Sequence, residues 1–130
     1  TDEQYLNMPD ESAEGTLGFC YYQDPERSDA HGVIAYRAQM QRHYPGRPLN
    51  RYSLYGYAFG RLILAGLDRA GPKPTRESVI DGLESLRDYN CGGVLPPVTF
   101  STANHHAQHA GFIGELRNRR IEALTPWIVP

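Results

Sequence analysis

Three histidines crowd one short stretch, His105, His106 and His109, and neutral imidazoles are the commonest metal-binding side chains. On a helix His105 and His109 would share a face. The segment reads as a loop instead, and no cysteine or carboxylate lies close by in the sequence to complete a tetrahedral set. An exposed polar loop of this composition accounts for them, and no metal is expected. Nucleophilic chemistry has less support. Ser53, Ser78, Ser85 and Ser101 lack a nucleophile-elbow context, and neither Cys20 nor Cys91 sits in an active-site signature. Asp81 and Glu84 share a helix face but read as solvated. Gly92-Gly93 is no phosphate loop, because no helix follows it. No catalytic residue is expected.

The bulk properties narrow the classes further. At 130 residues and 14.6 kDa the chain falls in the range of one compact domain. A net charge of -2 and a pI of ≈ 6.2 give no reason to expect nucleic acid. Arg117, Arg119 and Arg120 read as a solvated turn tip, not a basic stripe. With 40% hydrophobic and 22% charged residues the chain is ordinary and globular. No apolar run reaches the ~18–20 residues that a membrane span needs. No signal peptide is legible, since Thr1 opens a polar segment, and that says little about compartment. Cys20 and Cys91 are too few for a disulfide scaffold. They either pair, in an oxidising compartment, or stand as two partly buried thiols; their Cα separation decides which.

The elements that would position these groups follow from periodicity and punctuation. Residues 1–15 are polar and irregular, with room for one helical turn. Leu17 to Tyr22 is a short apolar run that suits a strand covered on both faces, as in a parallel sheet. Pro25 removes a donor and ends it. Val33, Tyr36, Met40 and Tyr44 then recur at helical spacing, with Ser28 or Asp29 as the N-cap and Tyr44-Pro45-Gly46 as the stop.

A second helix runs from about Arg51 to Ala70. Its polar residues Ser53, Arg61, Asp68 and Arg69 occupy a narrow arc, so it is expected to be largely buried. Gly56, Gly60 and Gly66 cost about 1 kcal/mol each relative to Ala, a cost that close approach of a neighbouring element could offset. Thr75 caps a third helix whose buried side is Val79, Ile80, Leu83 and Leu86. Val98 to Phe100 reads as a short strand. Gly111 to Leu116 and Ile121 to Leu124 read as a hairpin, with Asn118 able to adopt φ > 0 in its turn. The order strand, three helices, strand, hairpin is awkward for a self-sufficient domain, because the first strand wants more neighbours than this chain offers.

Taken in order, several stretches resemble the branched-chain amino-acid type of periplasmic solute-binding protein. Glu14-Gly15-Thr16-Leu17-Gly18 followed by Tyr21-Tyr22 is similar to the strand leading into the middle hinge segment. Tyr52-Ser53-Leu54-Tyr55-Gly56-Tyr57-Ala58, with Ala65-Gly66-Leu67, resembles the family's long helix. Arg76 to Leu86 looks like the helix before the "Gly-Pro-Val-Thr-Phe" strand, here Gly92-Gly93-Val94-Leu95-Pro96-Pro97-Val98-Thr99-Phe100. His105 and Phe112 to Leu116 match the last hinge crossing, and the resemblance gives that histidine no metal role. Ala58-Phe59 departs from the family's usual Asp-Ala.

The resemblance implies an α/β fold, the C-terminal segment of a two-lobed type I periplasmic-binding fold. It implies three parts: residues 1–24 as the end of lobe 2 and the second hinge strand, 25–108 as the helical part of lobe 1, and 109–130 as the third crossing and terminal hairpin. The family's first-lobe core and its acidic ligand-binding residue would lie before Thr1. Family members close two lobes on a small solute and present it to an ABC permease in the membrane. The implied role is therefore capture of an amino acid or related amide, without catalysis or cofactor, in the periplasm or outside the cell. Tyr52 falls where the family often sets an aromatic ring against the ligand. Tyr22, at a hinge, and Tyr55 are further candidates, and each of the three also reads as a packing residue. Two other readings stand beside this one: a cytosolic ligand-sensing regulator of the same fold, and a metal-dependent enzyme. Unsatisfied sheet edges would also let the fragment form a homodimer.

Overall fold

The computed structural model describes residues 11–106, 108–118 and 120–129, so the reading of the polar opening lies outside the described residues as far as residue 10. The chain is an α/β structure. A 3-10 turn over Glu11–Ala13 leads into β1 (Leu17–Cys20), then α1 (His31–His43), α2 (Arg51–Ala70) and α3 (Arg76–Glu84), and finally β2 (Phe112–Arg117) and β3 (Arg120–Ala123). The strands form one antiparallel sheet in the order β1-β2-β3. In its register Leu17 faces Glu115 and Cys20 faces Phe112, while Arg117 faces Arg120 across the hairpin.

The first strand therefore differs from the doubly covered parallel strand expected of it. It pairs antiparallel with a strand almost a hundred residues later, along the edge of the sheet. Leu17 and Phe19 are exposed while Cys20 is buried. The strand does alternate, as a one-sided strand must, but its outward residues are apolar too, which hides the period in the sequence. The hairpin is as expected: Asn118 has φ 50, and its N–H donates to the Glu14 carboxylate at 2.8 Å.

α1 starts at His31 with Ala30 as its N-cap and no side-chain capping bond. Neither Ser28 nor Asp29 caps it. Ser28 Oγ instead accepts from the Ala30 N–H, and the Asp24 carboxylate takes the Glu26 and Arg27 N–H groups in the preceding turn. Val33 and Tyr36 are buried as expected, but Tyr44 is exposed at the C-cap. The buried Tyr36 hydroxyl is satisfied by Ser53 Oγ at 2.6 Å.

α2 is capped by Asn50, whose side chain accepts the Ser53 N–H at 2.9 Å. Its buried stripe is Leu54, Ala58, Leu62, Ala65 and Gly66. Much of its other apolar surface is not covered: Tyr52, Phe59, Ile63 and Leu64 are all exposed. The helix is covered on one side only, so the expectation of a largely buried helix fails. Gly66 does serve close approach, because a Cβ at the facing Gly82 of α3 would run into the Gly66 carbonyl oxygen. Gly56 and Gly60 have nothing within 4 Å of a Cβ. α3 opens with a reciprocal capping box between Thr75 and Ser78. Leu86 is buried beyond its end, whereas Ile80 is exposed.

The expected strand at Val98 to Phe100 is a single antiparallel bridge, Tyr89 to Val98, closed by two N–H···O bonds of 2.8 and 3.0 Å. Pro96 and Pro97 cannot donate to a ladder, and the Phe100 N–H goes to the Leu86 carbonyl. This segment closes the core formed by Val33, Tyr36, Leu54, Ala58, Leu62, Leu86, Cys91, Val94, Leu95 and Val98. Both cysteines are buried, and they are not joined in a disulfide. Cys91 lies in the helical core and Cys20 in the sheet, which answers the pairing question left open by the sequence.

Candidate functional site

The chain leaving β1 and the first turns of α2 meet through aromatic rings. Tyr22 and Tyr55 lie 5.5 Å apart between centroids, tilted by 59°. Tyr55 in turn takes an edge-to-face contact with Phe59, one helical turn on, at 4.3 Å. The Arg51 guanidinium sits 5.8 Å above the Tyr22 ring, and Arg51 is only 5% exposed. A cation over a ring in such a shielded place is attracted more strongly than one in water. Tyr22 thus meets both a cation and a ring borne by α2.

Polar groups complete the arrangement. The Tyr55 hydroxyl donates to Gln108 Oε1 at 3.1 Å, and Gln108 Nε2 donates to the Tyr21 carbonyl at 3.0 Å. Beside these residues opens a cleft of ≈ 330 Å³. The buried Leu62, Leu95 and Val98 form its apolar base, Tyr55, Phe59 and Phe100 its aromatic sides, and His105, His106 and Gln108 its polar rim. An apolar recess with a few polar groups is the usual makeup of a small-molecule site.

The structure brings together two of the three tyrosines singled out from the sequence, Tyr22 and Tyr55. Tyr52 stands on the same helix as Tyr55 but points outward, 62% exposed. The histidines do not converge. His105 Nε2 pairs with Glu84 Oε1 at 2.7 Å, while His109 Nε2 contacts the Asn104 amide at 3.3 Å. Among the described residues no group of three or more His, Cys, Asp or Glu is placed to hold a metal ion. Deeper in, Cys91 lies against the Ala58 carbonyl; burial pushes its thiol pKa up, and the positive charge of Arg61 opposes that shift.

Arg51, Phe59 and Gln108 belong to the site and carry no local signal for it. Gln108 reaches partners 53 and 87 residues away in sequence, a distance no periodicity spans. Phe59 was legible only as a departure from a family pattern. Among the described residues no helix is long and apolar enough to cross a membrane.

Comparison with known proteins gives this site a setting. The structure superposes on that of a branched chain amino acid ABC transporter from Thermus thermophilus with bound valine, with TM-score 0.80 and 16% identity over 92% of this chain and 35% of that one. A possible leucine/isoleucine/valine-binding protein from Rhodopirellula baltica SH 1 matches with TM-score 0.74 and 25% identity, over 87% of this chain and 30% of that one. A putative branched-chain amino acid ABC transporter from Rhodospirillum rubrum gives TM-score 0.72 and 21% identity, over 95% and 34%. The chain thus spans about a third of the length of the solved structures it matches. Its architecture is that of a fragment of the type I periplasmic-binding fold. No curated protein matches the sequence. The family model described as periplasmic binding protein matches residues 1–120, and the chain belongs to that family.

Proposed function

We propose that this chain is part of an extracytoplasmic solute-binding component of an ABC transporter, and that its complete form captures an amino acid or a related small amide between two lobes. The observation that carries the reading is the family match over residues 1–120. It is supported by the meeting of Tyr22 and Tyr55 beside an open apolar cleft. In this reading residues 1–24 end one lobe, 25–108 form the helical part of the other, and 109–130 make the last crossing and the hairpin. Tyr22 then sits at a crossing, Tyr55 lines the cleft, and Tyr52 meets the solute from the exposed side of α2. Rotation about the crossings buries the solute, strips its water and presents a closed shape to the membrane permease. The solute leaves chemically unchanged, in the periplasm or outside the cell.

Calorimetry with L-leucine and L-valine tests this. The complete receptor is expected to bind at least one of them, and the isolated 130 residues are expected to bind neither at submillimolar concentration, because most of the placed polar groups lie outside this chain. Submillimolar binding by the isolated chain overturns the two-lobed reading, as does conversion of the bound solute seen by mass spectrometry.

A further inference from the structure

Gln108 uses both ends of its amide, and the geometry fixes which end goes where. A backbone carbonyl can only accept, so the group facing Tyr21 must be the NH2, at 3.0 Å. The remaining oxygen then takes the Tyr55 O–H at 3.1 Å. One side chain thereby ties three separate segments together: the exit of β1, the second turn of α2, and the approach to β2. Tyr22, the next residue after the Tyr21 carbonyl, carries the ring that lies against Tyr55. The same amide also lines the cleft with Tyr55, Phe59 and His105.

We infer that Gln108 is the positioning residue of the cleft: its bidentate amide holds the Tyr55 hydroxyl and the Tyr21–Tyr22 backbone in the arrangement that receives a solute. The inference rests on the solute-binding reading above, and it concerns a residue that neither the sequence patterns nor the family match singled out. Without the amide, the Tyr55 hydroxyl loses its acceptor and the Tyr21 carbonyl its donor, and the two rings lose the polar tie that sets their spacing. Arg51 and Phe59 remain as packing partners, so the fold is retained while the geometry of the cleft loosens.

Gln108→Glu gives a distinctive test. When protonated, the introduced carboxyl reproduces the amide, its O–H donating to the Tyr21 carbonyl and its C=O accepting from Tyr55. When ionised, it has only acceptors and faces the carbonyl with like polarity. The folded variant therefore favours the protonated form, which raises the pKa of the new carboxyl above the usual value of about 4.3. The bond to the Tyr21 carbonyl is intact below that value and is lost as pH rises through the folded one, while the carboxylate still accepts from Tyr55. In the complete receptor, without any solute, the melting temperature of the variant is expected to match that of the unaltered protein at low pH and to fall below it on approach to neutrality. Gln108→Met is expected to be lowered at every pH, and its effect is expected to shrink when combined with Tyr55→Phe. A Gln108→Glu variant whose difference from the parent is flat with pH shows that the bridge is not formed and overturns the inference.

The second arm uses the complete receptor and L-leucine. Gln108→Met is expected to weaken binding by about five- to tenfold, the scale of one or two lost hydrogen bonds, with Tyr55→Phe similar and the double variant little worse. Gln108→Glu is expected to recover affinity at low pH. If the melting arm behaves as expected but affinity is unmoved, Gln108 is a structural brace and the positioning role is overturned. If the unaltered receptor takes up neither L-leucine nor L-valine, the solute reading fails and the positioning role with it, while the bridge is still judged by melting alone.

Discussion

Gly32 and Gly92 meet backbone to backbone: the Gly32 N–H donates to the Gly92 carbonyl at 2.7 Å, and a Cβ on Gly32 would collide with the neighbouring Cys91 carbonyl oxygen. This contact seats the first turn of α1 on the loop that closes the helical core. Replacing a helical glycine by alanine ordinarily helps by up to about 1 kcal/mol. At Gly32 the sign reverses, because the obstacle is backbone and cannot rotate away. Gly32→Ala is expected to destabilise the chain by about 1–3 kcal/mol, as overpacked cores do. Gly56→Ala, which meets nothing within 4 Å, is expected to stabilise it. Urea unfolding of the two variants side by side checks the opposite signs.

The reciprocal bonds between Thr75 and Ser78 open α3. Thr75→Ala removes the side-chain acceptor for the Ser78 N–H and is expected to cost about 1 kcal/mol. Thr75→Asp keeps an acceptor there and should preserve most of that stability. Thermal melts of both variants against the parent measure the difference.

Burial of Cys91 favours its neutral thiol and raises its pKa above the ordinary value of 9.0. The folded state then holds this proton more tightly than the unfolded one. The resulting stability is complete below the ordinary value and is lost as pH rises from there toward the raised one. A Cys91→Ala variant, which lacks the titration, is expected to lose less stability than the parent between about pH 8 and 10 in denaturant titrations. In the native chain near neutral pH the thiol is expected to resist aromatic disulfide reagents, and both cysteines should react on unfolding.

Tyr52, Phe59, Ile63 and Leu64 line the outside of α2, and Leu17 and Phe19 project from the edge strand β1. Apolar residues projecting from an edge strand favour association. The 130-residue chain alone is expected to sediment as more than a monomer at high concentration, with the homodimer as the smallest product. Ile63→Lys combined with Leu64→Lys should shift it toward monomer. A strictly monomeric profile of the parent at every concentration refutes this expectation.

The features legible along the chain were local ones. Apolar patterning marked α2, the Thr75 cap marked α3, and Asn118 marked the hairpin turn, because a left-handed residue and a cap act within a few positions along the chain. The order of those elements also carried the family resemblance. The partner of β1 was decided only in three dimensions, since Leu17 and Phe19 are apolar whether covered or exposed and their alternation shows only once β2 is in place. The same holds for α2: its sequence is apolar on nearly every side, and only the placement of α1, α3 and the 89–98 segment selects the buried stripe. Tyr22 and Tyr55 could be named as candidates from their residue type and order. That their rings touch, and that Gln108 bridges the Tyr55 hydroxyl and the Tyr21 carbonyl across 53 and 87 residues, is created by tertiary packing and encoded by no local pattern.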